Sequence, residues 1–182
     1  MSATLIDGKL ISKQLKAEVR ADVEALVASS GRRPGLAVVI VGDDPASHIY
    51  VKNKRLGCEE TGVYSVSHDL PASTPEAELL ALIDQLNADP LIDGILVQSP
   101  LPKAMGHDAE RIVTDTISVD KDVDGFHPLN VGRLVQGRDA LVACTPSGVI
   151  ELLDRRADRR TPVWILLNKA DLGRDVVPLG EK

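Results

Sequence analysis

Aromatic side chains are nearly missing from this 182-residue chain: one Trp, one Phe and two Tyr make up 2% of it. Its core must therefore be built from Leu, Val, Ile and Ala, and an aromatic-rich surface for stacking nucleobases is excluded. Positive charge is in deficit as well, with 21 Lys and Arg against 27 Asp and Glu and a net charge of −6. That balance argues against a nucleic-acid partner, whose phosphates need a basic footprint. Cysteine is limited to Cys58 and Cys144, far apart and in no Cys-x-x-Cys arrangement. We read a reduced, cytoplasmic compartment, with a single distant disulfide left open. No apolar run approaches a membrane-spanning length, and Met1–Leu15, carrying Asp7, Lys9 and Lys13, reads as amphipathic rather than as a signal peptide. No membrane partner is expected. His48, His68, His107 and His127 show no metal-ligand spacing, so no metal is expected either.

What is present fits an ordinary globular protein, 43% apolar and 26% charged. Ile11, Leu15, Val19, Val23 and Leu26 recur at near-helical spacing and predict one long helix from Gly8 to about Ala28. After the break at Gly31–Gly35, the run Leu36–Val41 is continuously apolar and β-branched, the pattern of a strand buried on both faces. Asp44 then Pro45 predicts a helix start, and Gly62 its end. Val63–Leu70 reads as a second strand, Ser73–Glu76 as a capping signature, and Leu79, Leu82, Ile83 and Leu86 as one helix face. Gly94–Val97 is a third short strand. Strands alternating with helices predict an α/β domain of three layers, a mostly parallel sheet flanked by helices. Ser118–Gly148 is rich in turn residues, with Thr145–Pro146 as the start of another helix through about Leu153.

Ligands of open α/β sheets collect at the carboxyl ends of the strands. Three polar segments follow predicted strands: Gly42–Lys54, Gln98–Pro102 and Lys121–Gly125. Tyr50 and Lys54 are four residues apart and share a helix face. Taken singly these residues are ordinary. A Tyr/Lys pair is commonly a half-buried ring beside a solvated amine, Gln98 closes a strand, and Asp124-Gly125 is a turn dipeptide.

Their longer wording is more specific. Val41-Gly-Asp-Asp-Pro-Ala-Ser-His-Ile-Tyr-Val-Lys-Asn-Lys54, Gly94-Ile-Leu-Val-Gln-Ser-Pro-Leu-Pro102, Lys121-Asp-Val-Asp-Gly125, Asn130-Val-Gly-Arg133 and Cys144-Thr-Pro-Ser-Gly148 stand in order. Together they resemble the signatures of the methylenetetrahydrofolate dehydrogenase/cyclohydrolase family over roughly residues 3 to 153. Ser99, where the family usually has an apolar residue, and Ala143, where it commonly has proline, depart from the pattern. The resemblance implies Lys54 as the acid/base or electrostatic group at the one-carbon bridge of a folate. An amine acting there as a base near neutrality needs desolvation or neighbouring charge to release its proton. It further implies Gln98 as the partner orienting that amine, Tyr50 as a stacking and hydrogen-bonding surface, and Asp124 as acceptor for the amino-pyrimidine edge of the pterin. Ser47 is implied as a helper in positioning. Tetrahydrofolate derivatives are the implied substrates, NADP the cofactor, and a homodimer the assembly.

Residues 154–182 do not follow the family. They open on the charge run Asp154–Arg160 and hold one strand-like segment, Val163–Leu167. We therefore expect a folate-binding catalytic domain over 1–153 and, over 154–182, a divergent tail: an incomplete remnant in place of the Rossmann NAD(P)-binding domain. No Gly-x-Gly-x-x-Gly phosphate loop occurs in the sequence. The dehydrogenase step is expected to be lost and the cyclohydrolase step at most residual. The other reading is a catalytically silent folate-binding or oligomerising fragment. Asn168-Lys-Ala-Asp171 resembles a guanine-reading motif but no Gly-Lys-Ser/Thr loop accompanies it. Asp120-x-Asp122-x-Asp124-Gly125 opens like a calcium loop, yet its twelfth position is Val131 and Pro128 interrupts it.

Overall fold

The computed structural model describes residues 6–156, together with 163–165 and 177–179. The Asn168–Asp171 motif and most of the 154–182 tail lie outside the described residues. The chain falls into two compact units, Ser12–Cys144 and a second drawn from Met1–Ile11 and Thr145–Lys182. Every candidate site residue belongs to the first.

In that unit a three-stranded parallel sheet is ordered β2-β1-β3, with β1 at Gly35–Val41, β2 at Tyr64–Leu70 and β3 at Gly94–Val97. Register runs from Gly35↔Tyr64 to Val41↔Leu70 on one side of β1 and from Leu36↔Gly94 to Val39↔Val97 on the other. The central strand is buried on both faces, as its unbroken apolar run requires. Alternate residues serve opposite layers. Ala37, Val39 and Val41 pack with Leu79, Ile83 and Leu86 of α3 (Glu76–Ala88) and Val113 of α4 (Ala109–Thr116). Val38 and Ile40 pack with Val51 of α2 (Pro45–Thr61) and with Leu96. Leu79 and Ile83 are wholly withdrawn from water; burying each side chain contributes roughly 1.5–3 kcal/mol. The expected three-layer arrangement is the observed one.

Local signals explain most boundaries. The Asp44 carboxylate accepts from the Ser47 amide at 2.8 Å with Pro45 at the first position, and Gly62 ends α2 in the left-handed conformation, φ 82°. The long helix α1 is Gly8–Ser30, and its Lys16 ammonium lies 2.7 Å from Glu60. Three expectations need correction. The Ser73–Glu76 signature does not cap α3, because Pro71–Thr74 is a turn closed by the Thr74 amide on the Pro71 carbonyl (2.9 Å) and Pro75 flanks the helix without a side-chain bond. The Ser118–Gly148 stretch is not all turn. It contains α5, Pro128–Val135, capped by His127, whose Nδ1 accepts from the Leu129 amide at 3.1 Å. Finally, α6 (Cys144–Arg156) starts one residue before Thr145. Outside the Ser12–Cys144 unit, β4 (Val163–Ile165) pairs antiparallel with β5 (Val177–Leu179). No helix among the described residues is long and apolar enough to cross a membrane.

Candidate folate site

The strand order decides where a ligand belongs. The chain leaves β1 toward β2 through α2, then returns across β1 through α3 to β3, so the connections diverge between β1 and β3. Such a switch point opens a crevice outside the carboxyl ends of its two strands. Helix α2 follows one of these ends, and Gln98 follows the other, its amide still bonded to the Val39 carbonyl at 2.8 Å.

Lys54 and Gln98 meet there. The Lys54 ammonium donates to Gln98 Oε1 at 2.8 Å, and Gln98 Nε2 donates to the Ser99 carbonyl at 2.7 Å. With its oxygen turned to Lys54 and its NH2 held by backbone, the Gln98 amide has one orientation that satisfies both ends. Ser99–Pro100 is a cis peptide. The third segment arrives alongside β3: Asp122 bridges Ile95 in parallel. Two residues later stands Asp124, half-buried, its carboxyl pushed up from the usual range by desolvation, drawn back by the Lys54 charge and raised again by Asp122. Of the cluster expected from sequence, Lys54 and Gln98 are brought into contact, and the Lys54 charge acts on Asp124. Tyr50, one turn before Lys54 on α2, is 59% exposed and presents an open ring. Ser47 differs. It is 3% exposed in the first turn of α2, and no hydrogen bond joins it to the cluster.

Other residues here carried no role in the sequence reading. Phe126, two positions beyond Asp124, is 61% exposed. Gly125 has φ 67°, and a Cβ there would lie 2.7 Å from the Ala143 amide nitrogen, so the segment before α6 packs directly on this turn. The buried pair Asp122 and Asn130 lies in two of the family-like segments, but the resemblance implied a role there for Asp124 alone. A buried acid beside a buried amide leaves no periodic signal that sequence inspection detects.

The matching family model is tetrahydrofolate dehydrogenase/cyclohydrolase, catalytic domain, over residues 6–124. The chain belongs to this family. Similar solved structures include the bifunctional methylenetetrahydrofolate dehydrogenase/cyclohydrolase of Campylobacter jejuni, at 44% identity and TM-score 0.79, covering 85% of this chain and 54% of that one. The 5,10-methylenetetrahydrofolate dehydrogenase of the silkworm, Bombyx mori, matches at 38% identity and TM-score 0.80, over 85% and 52% of the two chains. The Trypanosoma brucei dehydrogenase-cyclohydrolase, whose structure is a complex with NADP and inhibitor, matches at 34% and 0.79, over 85% and 52%. The chain thus spans about half the length of these relatives.

The described residues do not fit NADP. A dinucleotide phosphate needs free amides at a helix N-terminus behind a glycine turn. At α2, which follows a β-strand, the Asp44 carboxylate already takes the Ser47 amide and would repel a phosphate. At α3 the entry is Pro71–Pro75. Among the described residues, no group of three or more His, Cys, Asp or Glu side chains gathers where it could hold a metal ion.

Proposed function

We propose that residues 1–153 form a folate-binding catalytic domain that opens the one-carbon bridge of 5,10-methenyltetrahydrofolate to give 10-formyltetrahydrofolate. The observation that carries this reading is the 2.8 Å contact between Lys54 Nζ and Gln98 Oε1 at the switch-point crevice. In that reaction water adds to the bridge carbon and loses one proton to the medium. The second proton passes from the new hydroxyl to N5 as the carbon–N5 bond breaks. Lys54, oriented by Gln98, is the group suited to relay these protons. Tyr50 offers its ring to the flat folate, and Asp124 accepts from the amino-pyrimidine edge. In this reading the ligands are tetrahydrofolate derivatives and the assembly is a homodimer.

The test is the decay of methenyltetrahydrofolate absorbance, corrected for spontaneous hydrolysis, with the 182-residue chain and its Lys54→Ala variant. Turnover that falls at least 100-fold in Lys54→Ala is expected, the usual contribution of a positioned acid/base being about 10²–10⁴. Turnover unchanged in the variant would remove Lys54 from the chemistry. Folate binding without turnover in the unsubstituted chain would favour the silent folate-binding fragment instead.

A further inference from the structure

We propose that Asp122 and Asn130 are positioning residues that set where the loop holds the Asp124 carboxylate. The inference rests on the folate-site reading and deepens it.

Asp122 is 2% exposed and Asn130 1%. Asp122 Oδ2 accepts from the His127 amide at 2.8 Å and from Asn130 Nδ2 at 2.9 Å, while Oδ1 accepts from the Phe126 amide at 3.3 Å. Asn130 Nδ2 also donates to the Val119 carbonyl at 2.9 Å. One amide on α5 therefore pins both ends of the 3-10 turn Val119–Lys121, and one carboxylate closes the loop Asp122–His127 around Asp124. A buried carboxylate is costly unless donors answer it, and here three do. With its oxygens so occupied, Asp122 is not free to take a substrate.

Lys121 and Val123, on either side of Asp122, are anchored too. The Lys121 ammonium caps the end of α3, donating to the carbonyls of Leu86 (3.0 Å), Asn87 (2.8 Å) and Asp89 (2.8 Å). Val123 packs against the Val38, Ile40, Val51 and Leu96 cluster. In Lys121–Gly125, Asp124 is the one residue whose side-chain oxygens meet no hydrogen-bond donor among the described residues. The segment thus spends its other members on holding one carboxylate in place. Removing the Asn130 amide leaves Asp122 short of a donor and frees the turn, and a displacement near 1 Å is enough to spoil a binding geometry.

The test is a calorimetric titration of 5-formyltetrahydrofolate into the chain, Asn130→Ala, Asp124→Ala and the double variant, with thermal melts of all four. Asn130→Ala should weaken binding about tenfold when Asp124 is present and add nothing in the Asp124→Ala background, the non-additivity of residues acting as a unit. The melting temperature should drop equally in both backgrounds. Equal weakening in both backgrounds, or none in either, would overturn the positioning role while the folate site stands. Absence of binding by the unsubstituted chain, or full binding by Asp124→Ala, would instead remove the folate-site reading and this inference with it. Asn130→Ser repeats the series with a smaller polar group; if circular dichroism shows both Asn130 variants unfolded, the residue serves the fold alone and the proposal fails.

Discussion

Lys54, Gln98 and Asp124 come from three segments, and each is held differently. Gln98 is locked by hydrogen bonds at both ends of its amide, Lys54 by its reach from α2 to Gln98, and Asp124 by the loop beneath it. Asp124 is held at a cost. Burial raises its carboxyl above the ordinary aspartate value of about 3.9. A raised acid contributes its stability below the unfolded value and loses it as pH rises through the folded one. Near neutrality the ionised group therefore opposes folding. Asp124→Asn should raise the melting temperature at neutral pH, with the gain disappearing in acid, while weakening folate binding. Melts from pH 3 to pH 8 beside binding titrations check this; a gain independent of pH would show that charge burial is not its source.

At the scale of elements, α2 joins the layers to the site. Its start is written in Asp44 and Pro45, its buried stripe includes Val51 and Cys58, and its end is written in Gly62. Burial raises the Cys58 thiol above its ordinary value, so this cysteine serves as core rather than as a reactive group. Gly62 holds φ 82°, and among the described residues a Cβ there would meet only Val23 Cγ1 at 3.5 Å, an ordinary contact. The strain of Gly62→Ala is therefore a backbone matter, roughly 1–2 kcal/mol for an L residue in the left-handed region. Chemical denaturation should show that loss as a lower midpoint at constant slope. A midpoint within error of the unsubstituted chain would mean that the cap relaxes to another form.

Across the sheet, the amino ends of the strands are held by charge and the carboxyl ends are left for chemistry. Arg32 grips Asp93 at 2.8 and 2.6 Å, and Asp93 Oδ2 also accepts from the Gly35 amide at 2.8 Å, so the entries to β1 and β3 are tied together. The Arg32 hydrogen bonds above all hold the Asp93 carboxyl below its ordinary range, against a smaller push from desolvation; the same pair raises the Arg32 guanidinium. A depressed acid contributes stability above its unfolded value and loses it as pH falls through the folded one. Asp93→Asn should accordingly melt below the unsubstituted chain at pH 7, with the gap closing in acid. Both groups are substantially exposed, so solvent and salt keep the effect modest. A gap that persists unchanged in acid would assign it to packing.

The sequence by itself determined the elements and the chemical inventory. An apolar β-branched run such as Leu36–Val41 has one comfortable place, a strand covered on both faces. Asp44-Pro45 and Gly62 restrict the backbone locally, so α2 was legible to within a residue or so. Lys54, Tyr50, Gln98 and Asp124 were singled out as candidates by the wording around them, since each residue type taken singly is ordinary. The failures were also local in origin. Ser73–Glu76 competes with a turn ending at Thr74, and α5 is announced only by His127-Pro128, a cap signal easily taken for a turn. Tertiary structure decided the strand order β2-β1-β3, and with it the crevice between β1 and β3. It also decided that Asp122 turns inward to three N–H donors while Asp124, two residues on, is left half-buried without one among the described residues. Pairing of distant strands and the burial of one carboxylate over another depend on contacts between segments far apart in the chain, and no local pattern records them.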